Sequence, residues 1–160
     1  TLTQEIDLLS HYLEIEKMRF DNRFSYLIYV DEKIDKNSTS IPSLLLQSIV
    51  ENAVNHGIVH SKKEGLIEIK FLQRPNHTIE IIISDNGIGI KKSKALYQNS
   101  IGKSPSKSTA ILKSRIALIN QTGRFFITYH CSDLDPENQS GTQVILKIKT
   151  VAAENTFSIN

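Results

Sequence analysis

Cysteine is almost missing from these 160 residues. The lone Cys131 excludes an internal disulfide and any metal site built from several thiolates, and it fits a reducing compartment. Long hydrophobic runs are missing too. Stretches such as Ile81-Ile82-Ile83 fall far short of the roughly 18 apolar residues that span a bilayer. No charged-then-apolar leader opens the chain, so it does not read as a secretory signal peptide. An excess of one charge is also lacking. The 19 basic and 17 acidic side chains leave a net +2, too little to imply a nucleic-acid partner or a membrane surface by itself.

The motifs of the common enzyme classes are absent as well. No G-x-x-x-x-G-K-[ST] and no helix-opening G-x-G-x-x-G occurs, so the common nucleotide folds are unsupported. No nucleophile elbow or paired base supports a hydrolase. His11, His60, His77 and His130 are scattered and read as exposed or capped side chains, and no histidine cluster suggests a metal. What is present is ordinary for one globular domain with a single core: 39% hydrophobic and 22% charged residues. The first residue is Thr1 rather than methionine, and the chain is expected to be a piece of a longer protein.

Ile6, Leu9 and Leu13 predict an amphipathic helix from about Ile6 to Met18, its stripe widened by Leu8 and Ile15. Phe24–Val30 reads as a strand. Ile41-Pro42 suits a helix entry, and that helix should run to about His56 and stop at Gly57. Leu66–Leu72 alternates, with Ile67, Ile69 and Phe71 on one side. After the turn Arg74–His77, Thr78–Ser84 reads as a central strand. Lys91–Thr109, rich in lysine and serine, is expected to be a long mobile loop. Ile111, Leu112, Arg115, Ile116 and Ile119 restore a helix that closes near Thr122-Gly123. Strands Phe125–His130 and Val144–Ile148 follow, joined by a polar loop over Ser132–Ser140. The order points to an α+β two-layer sandwich, a mixed sheet covered on one face by helices.

Two segments carry chemistry. On a helical wheel Leu45, Leu46, Ile49, Val50, Ala53 and Val54 fill one half, while Ser48, Glu51, Asn52 and Asn55 gather on the other. Asparagine is a poor helix former, so a mid-helix pair calls for a reason. A neutral amide oxygen can ligate a magnesium ion that already holds waters and phosphate oxygens; a solvated helix face is the plain alternative. The second segment, Asp85-Asn86-Gly87-Ile88-Gly89-Ile90, follows the central strand. Asp85 can accept a hydrogen bond from an exocyclic amine, and the glycines let backbone approach a flat ring or a phosphate. Alone, the pattern also suits an ordinary turn. A calcium loop fails, because no further spaced carboxylates follow.

Taken together, Glu51-Asn52-Ala53-Val54-Asn55-His56-Gly57, Asp85-Asn86-Gly87-Ile88-Gly89 and Ser140-Gly141-Thr142 resemble the gyrase–Hsp90–histidine kinase–MutL ATPase superfamily. The runs Ile41–Gln47 and Glu14–Phe20, the latter before Asn22-Arg23-Phe24, look like the LytS/YehU-type sensor histidine kinases. The resemblance implies the Bergerat ATP-binding fold with ATP and Mg2+ as cofactors. By that analogy Asn52 coordinates the metal, Asp85 reads the adenine amine, and Gly87 and Gly89, followed by Ile90, shape the adenine pocket. Thr142 would support Asp85 through a water, and Asn55 and His56 would line the phosphate side. A lid at about 91–110, with Lys91, Lys92, Lys94, Lys103 and Lys107, would cover the triphosphate, aided by Ser108 and Thr109.

It further implies that residues 1–22 are a linker helix from a missing dimerisation segment, that 23–150 are the kinase domain and that 151–160 form a disordered tail. The acceptor histidine would lie upstream, leaving no catalytic residue in this stretch. The implied partners are that phosphoacceptor segment, a second protomer and a response regulator, with no nucleic acid. The implied location is the cytoplasmic side of a membrane-anchored sensor. Two departures bear on activity. The lid stretch Lys107–Leu112 lacks the glycines many relatives carry, which leaves open a catalytically inactive nucleotide-sensing or protein-interaction module. Ser48 stands where the superfamily's true ATPases place a glutamate base, so net hydrolysis should be slow.

Overall fold

The architecture follows from alternating apolar residues on strands and polar insertions that find partners only in three dimensions. The computed structural model describes residues 1–61, 63–97 and 105–151, of which 97 and 105–107 by backbone alone. The expected lid centre with Lys103, the Lys107 side chain and the expected tail from 152 lie outside what is described. The elements are α1 (Leu2–Arg19), β1 (Phe24–Val30), α2 (Leu45–Asn52) continued by a π-helical turn (Ala53–Ile58), β2 (Gly65–Arg74), β3 (Thr78–Asp85), α3 (Ile90–Tyr97), α4 (Pro105–Gln121), β4 (Phe125–Asp135) and β5 (Ser140–Thr150).

The strands form one sheet in the order β1-β2-β3-β5-β4. β1 runs parallel to β2, and every other pairing is antiparallel. This is the mixed α+β sheet expected. Ile67, Ile69 and Phe71 of β2, Ile81 and Ile83 of β3, and Leu146 and Ile148 of β5 point inward and share one core with Leu45, Leu46, Ile49, Val50 and Val54. The opposite face is polar in its centre. There Glu80 is 8% exposed, held by Arg74 Nε at 2.8 Å and Lys147 Nζ at 3.4 Å.

Helix α1 starts earlier than its periodicity predicts, because Thr1 and Gln4 form a capping box at its N-terminus. Its buried stripe is Leu2, Glu5, Leu9, Leu13 and Glu16. Leu8 and Ile15, expected to widen the stripe, are instead 51% and 58% exposed. The helix is rotated toward two carboxylates because each finds a partner. Leu44 N–H donates to Glu5 Oε2 at 3.2 Å, and Arg19 lies 2.6 Å from Glu16 Oε2. A pattern that assigns glutamate to solvent misses this.

Three further expectations are corrected. α2 begins at Leu45 rather than at Pro42, after Leu44 adopts a left-handed φ of 58°. Arg115 of α4 holds that entry turn by donating to Ser43 O at 2.6 Å and Leu44 O at 3.0 Å. The same helix does not stop at Gly57. It widens into a π-helical turn, with Val59 N–H donating to Val54 O at 3.0 Å, and runs through the glycine to Ile58. The lysine-rich segment is not a loop over residues 90–97 but helix α3, and residues 105–110 already belong to α4, which Pro105 opens. The first amide of α3, Ile90 N–H, donates to Asp133 Oδ1 at 2.9 Å, a cap supplied by β4 across the fold. The polar stretch 132–140 is largely strand, since Asp133 pairs with Thr142 and Asp135 with Ser140. Ile111, read into the apolar face of its helix, is 70% exposed.

Because Leu13 is fully buried in the common core, Leu13→Ala is expected to cost about 2–5 kcal/mol. Ile15→Ala, on the exposed side of the same helix, is expected to change stability by no more than about 0.5 kcal/mol. Urea denaturation of the two variants checks both values.

Candidate functional site

Asp85 ends β3 and is 3% exposed. Its carboxylate survives burial through local donors. Gly87 N–H donates to Oδ1 at 2.9 Å, and Thr142, its register partner on β5, offers both its N–H and its hydroxyl. Thr142 thus stands beside Asp85 on the neighbouring strand. Burial outweighs these bonds and pushes the carboxyl up from its ordinary value to about 6.

Glycines bring three chain segments against this carboxylate. A Cβ on Gly57 would stand 2.6 Å from Asp85 Oδ1, and one on Gly87 would stand 2.3 Å from the Gly57 carbonyl carbon. The π-helical turn and the strand end therefore cross backbone to backbone, and Ile88 N–H donates to Gly57 O at 3.3 Å across the crossing. Gly141 N–H closes the third side by donating to Gly87 O at 2.8 Å. Asn86 faces away. Its side chain accepts from Leu66 N–H at 2.8 Å and donates to Glu64 O at 3.0 Å, so it clamps the entry to β2.

Beside Asp85 opens a cavity of about 690 Å3, open mouth included. Its apolar wall includes Ile49, Ala53, Ile83, Leu112 and Val144. Among the predicted site residues it brings together Asn52, His56, Asp85, Gly89, Ile90, Thr109 and Thr142. Asn52 and His56 come from the helix side, Asp85 and Thr142 from the sheet side. Asn55, Gly87 and Ser108 do not line it. Asn55 instead accepts a hydrogen bond from Arg19 of α1 at 3.2 Å, and Gly87 acts by its N–H on Asp85. Burial lowers the pKa of His56, which favours the neutral imidazole.

Sequence reasoning missed other wall residues. Gly57, where the sequence predicts a helix stop, is a point of contact. Ser93 lines the cavity from α3, where the sequence predicts a loop, next to Lys94, one of the expected lid lysines. Tyr129 and Cys131 enter from β4, hydrogen-bonded to one another, and burial pushes both of their pKa values up. Only the period-2 inward alternation of β4 could have hinted at these two. Among the described residues no group of three or more His, Cys, Asp or Glu could hold a metal ion, and no helix is long and apolar enough to cross a membrane.

A mixed sheet with helices on one face, and a cavity between an amide-bearing helix and a carboxylate at a strand end, defines an α+β small-ligand-binding domain. Residues 42–152 match the family described as "Histidine kinase-, DNA gyrase B-, and HSP90-like ATPase". The chain belongs to that family. The protein YwpD of Bacillus subtilis (strain 168) is 37% identical to it over 92 residues, 58% of this chain and 32% of YwpD. The sensor histidine kinase/phosphatase LytS of Staphylococcus aureus (strain MRSA252) is 33% identical over 94 residues, 59% of this chain and 16% of LytS. This chain therefore spans far less than two thirds of the curated relatives it matches. The solved mycobacterial sensor histidine kinase MprB superposes with a TM-score of 0.56 at 17% identity, covering 91% of this chain and 97% of that one, a likeness of fold.

The raised pKa of Asp85 carries a stability signature. A folded value of about 6 against an ordinary 3.8 means that the fold holds the proton more tightly than the unfolded chain. The cost of the buried charge is absent below about pH 4 and fully present above about pH 6. Ligand-free Asp85→Asn is therefore expected to be more stable than the parent at about pH 7.5, by on the order of 3 kcal/mol. The gain should fade as pH drops from 6 toward 4, measured by urea denaturation across that range.

Proposed function

We propose that this chain is the ATP-binding catalytic domain of a two-component sensor histidine kinase, which presents the γ-phosphate of ATP to a histidine in an upstream segment. One observation carries the reading: a buried carboxylate and a helix-borne amide face the same cavity from opposite layers, within a chain of this ATPase family. Asp85, already carrying donors from Gly87 and Thr142, is suited to accept from the exocyclic amine of adenine. The apolar wall of Ile49, Ala53, Ile83 and Val144 suits the faces of a purine ring. Asn52 and His56 lie on the helix wall, where a triphosphate leaving the cavity would pass.

A magnesium ion fits this donor set. The described residues offer no cage of carboxylates or imidazoles. They do offer a single neutral amide, Asn52, which suits an ion that keeps its phosphates and waters as ligands. Bound there, the ion would neutralise phosphate charge. The domain's own part is positional: Asp85 and the apolar wall fix the base, and Asn52 and His56 set where the phosphates leave the cavity. Phosphoryl transfer rests mostly on such positioning and charge neutralisation. Hydrolysis is disfavoured, since Ser48 does not line the cavity and Glu51, also outside it, accepts a hydrogen bond from Gln47 at 2.9 Å. We assign the acceptor histidine, the second protomer and the response regulator to the rest of the protein. We place the domain on the cytoplasmic side of a membrane-anchored sensor, with residues 1–22 as its connection to the upstream dimerisation segment.

Calorimetry of this chain with ATP tests the reading: binding is expected, tighter with magnesium than without. No binding under either condition would refute it. Asp85→Asn is expected to weaken ATP binding by about 1.5–3 kcal/mol, the usual worth of a charge-assisted hydrogen bond. Because the carboxyl of the ligand-free chain titrates near 6, the ratio of parent to variant affinity should be largest above about pH 7. It should shrink toward one as pH falls through 6 and the parent carboxyl protonates.

A further inference from the structure

Ser93 is the one result of the α3 helix that neither the motifs nor the family reading uses. It lines the cavity, is 6% exposed, and its hydroxyl has no hydrogen-bond partner among the described residues. A helical serine usually returns its hydroxyl to the carbonyl one turn back. Here Gly89 O, the acceptor in that position, is engaged by Ser93 N–H at 3.1 Å, and the hydroxyl makes no such bond. Several other polar groups of the same wall are engaged. Asp85 accepts from Gly87 and Thr142, and Tyr129 and Cys131 are bonded to each other. A buried hydroxyl left unbonded costs the fold stability, and such groups in folded proteins tend to have a use. The cost is offset if the group is completed by whatever fills the cavity.

We infer that Ser93 is a ligand-reading residue, whose hydroxyl donates a hydrogen bond to a ring nitrogen of the bound purine. Its donor would complement Asp85, which can only accept from the exocyclic amine while ionised. The two together demand a base that presents both a donor and an acceptor inside the cavity, as adenine does. α3 can aim this side chain because Asp133 on β4 caps its first turn, which anchors the helix against the hairpin that forms one wall of the cavity. The inference rests on the ATP-binding reading above, and it adds a specificity residue that this reading did not contain.

The test is Ser93→Ala, with two readouts on this chain. Without ligand, the variant is expected to unfold in urea at the same or a higher midpoint than the parent, because it deletes an unbonded polar group rather than a bond. With ligand, its ATP affinity is expected to fall about three- to tenfold, the worth of one net hydrogen bond. Titration with 1-deaza-, 3-deaza- and 7-deaza-ATP identifies the acceptor, since parent and variant should bind equally to the analogue that lacks it. An equal loss on ATP and on all three analogues, or a lowered ligand-free midpoint, would mark Ser93 as structural and overturn the inference. So would unchanged ATP affinity. A parent that binds no ATP would overturn the ATP-binding reading itself, and this inference with it; a parent that binds ATP, with a variant that binds it equally well, would overturn the serine's role alone.

Discussion

Asp85 keeps a carboxylate where most water has been removed, and the surrounding chain is arranged to make that tolerable. Gly87 and Thr142 supply donors, while the crossing of Gly57 over Gly87 brings a helix to within side-chain-excluding distance of the strand end. Burial still dominates, and the carboxyl titrates near 6 instead of 3.8. A group held at such a cost has little structural purpose, since an uncharged side chain would cost the fold less. It retains value if something entering the cavity supplies the missing donor. The cavity, its apolar wall and the amide on its far side follow from the same crossing, because the crossing fixes how the helix layer sits over the sheet.

The π-helical turn is the backbone device that permits this arrangement. An α-helix ending at Gly57 would have to leave the sheet at that point. Asn52 closes the α-helical part, and by widening over Ala53–Ile58 the helix carries His56 and Gly57 on toward the end of β3; each of the three meets the site differently. Asn52 and His56 face the cavity, and Gly57 lies against Asp85 itself. Wide turns of this kind are frequent at functional sites. Helix α1 reaches the same region from outside. Arg19, paired with Glu16, donates to Asn55 and thereby ties the first helix to the polar face of the helix that carries Asn52.

Much of the frame was readable from patterns. Strand β1 is legible from its aromatic and β-branched residues and β2 from its period-2 apolar spacing, and β3 lies between β2 and β5 as its near-continuous apolar run implied. The two faces of α2 separated as a wheel predicts, with Leu45, Leu46, Ile49, Val50, Ala53 and Val54 all buried. The conjunction of three short blocks identified the family, and the match over residues 42–152 bears that out. Patterns failed where a polar side chain finds its partner far away in sequence. Glu5 turns inward because the Leu44 N–H, 39 residues further on, donates to it. Residues 90–97 are helical in a lysine-rich stretch because Asp133 caps them, and 132–135 are strand because β5 supplies the ladder.

Periodicity, carried by the sequence alone, determined the class of fold, and the resemblance of three short blocks to a known family gave that family and most of the residues that meet at the cavity. Tertiary structure decided how those residues meet: which glycine is a contact rather than a stop, which donors reach Asp85, and which serine is left waiting inside the wall. The reason is physical. Apolar burial repeats with the period of the backbone and so leaves a trace along the chain, whereas a hydrogen bond or a close approach depends on two segments whose encounter only the completed fold arranges.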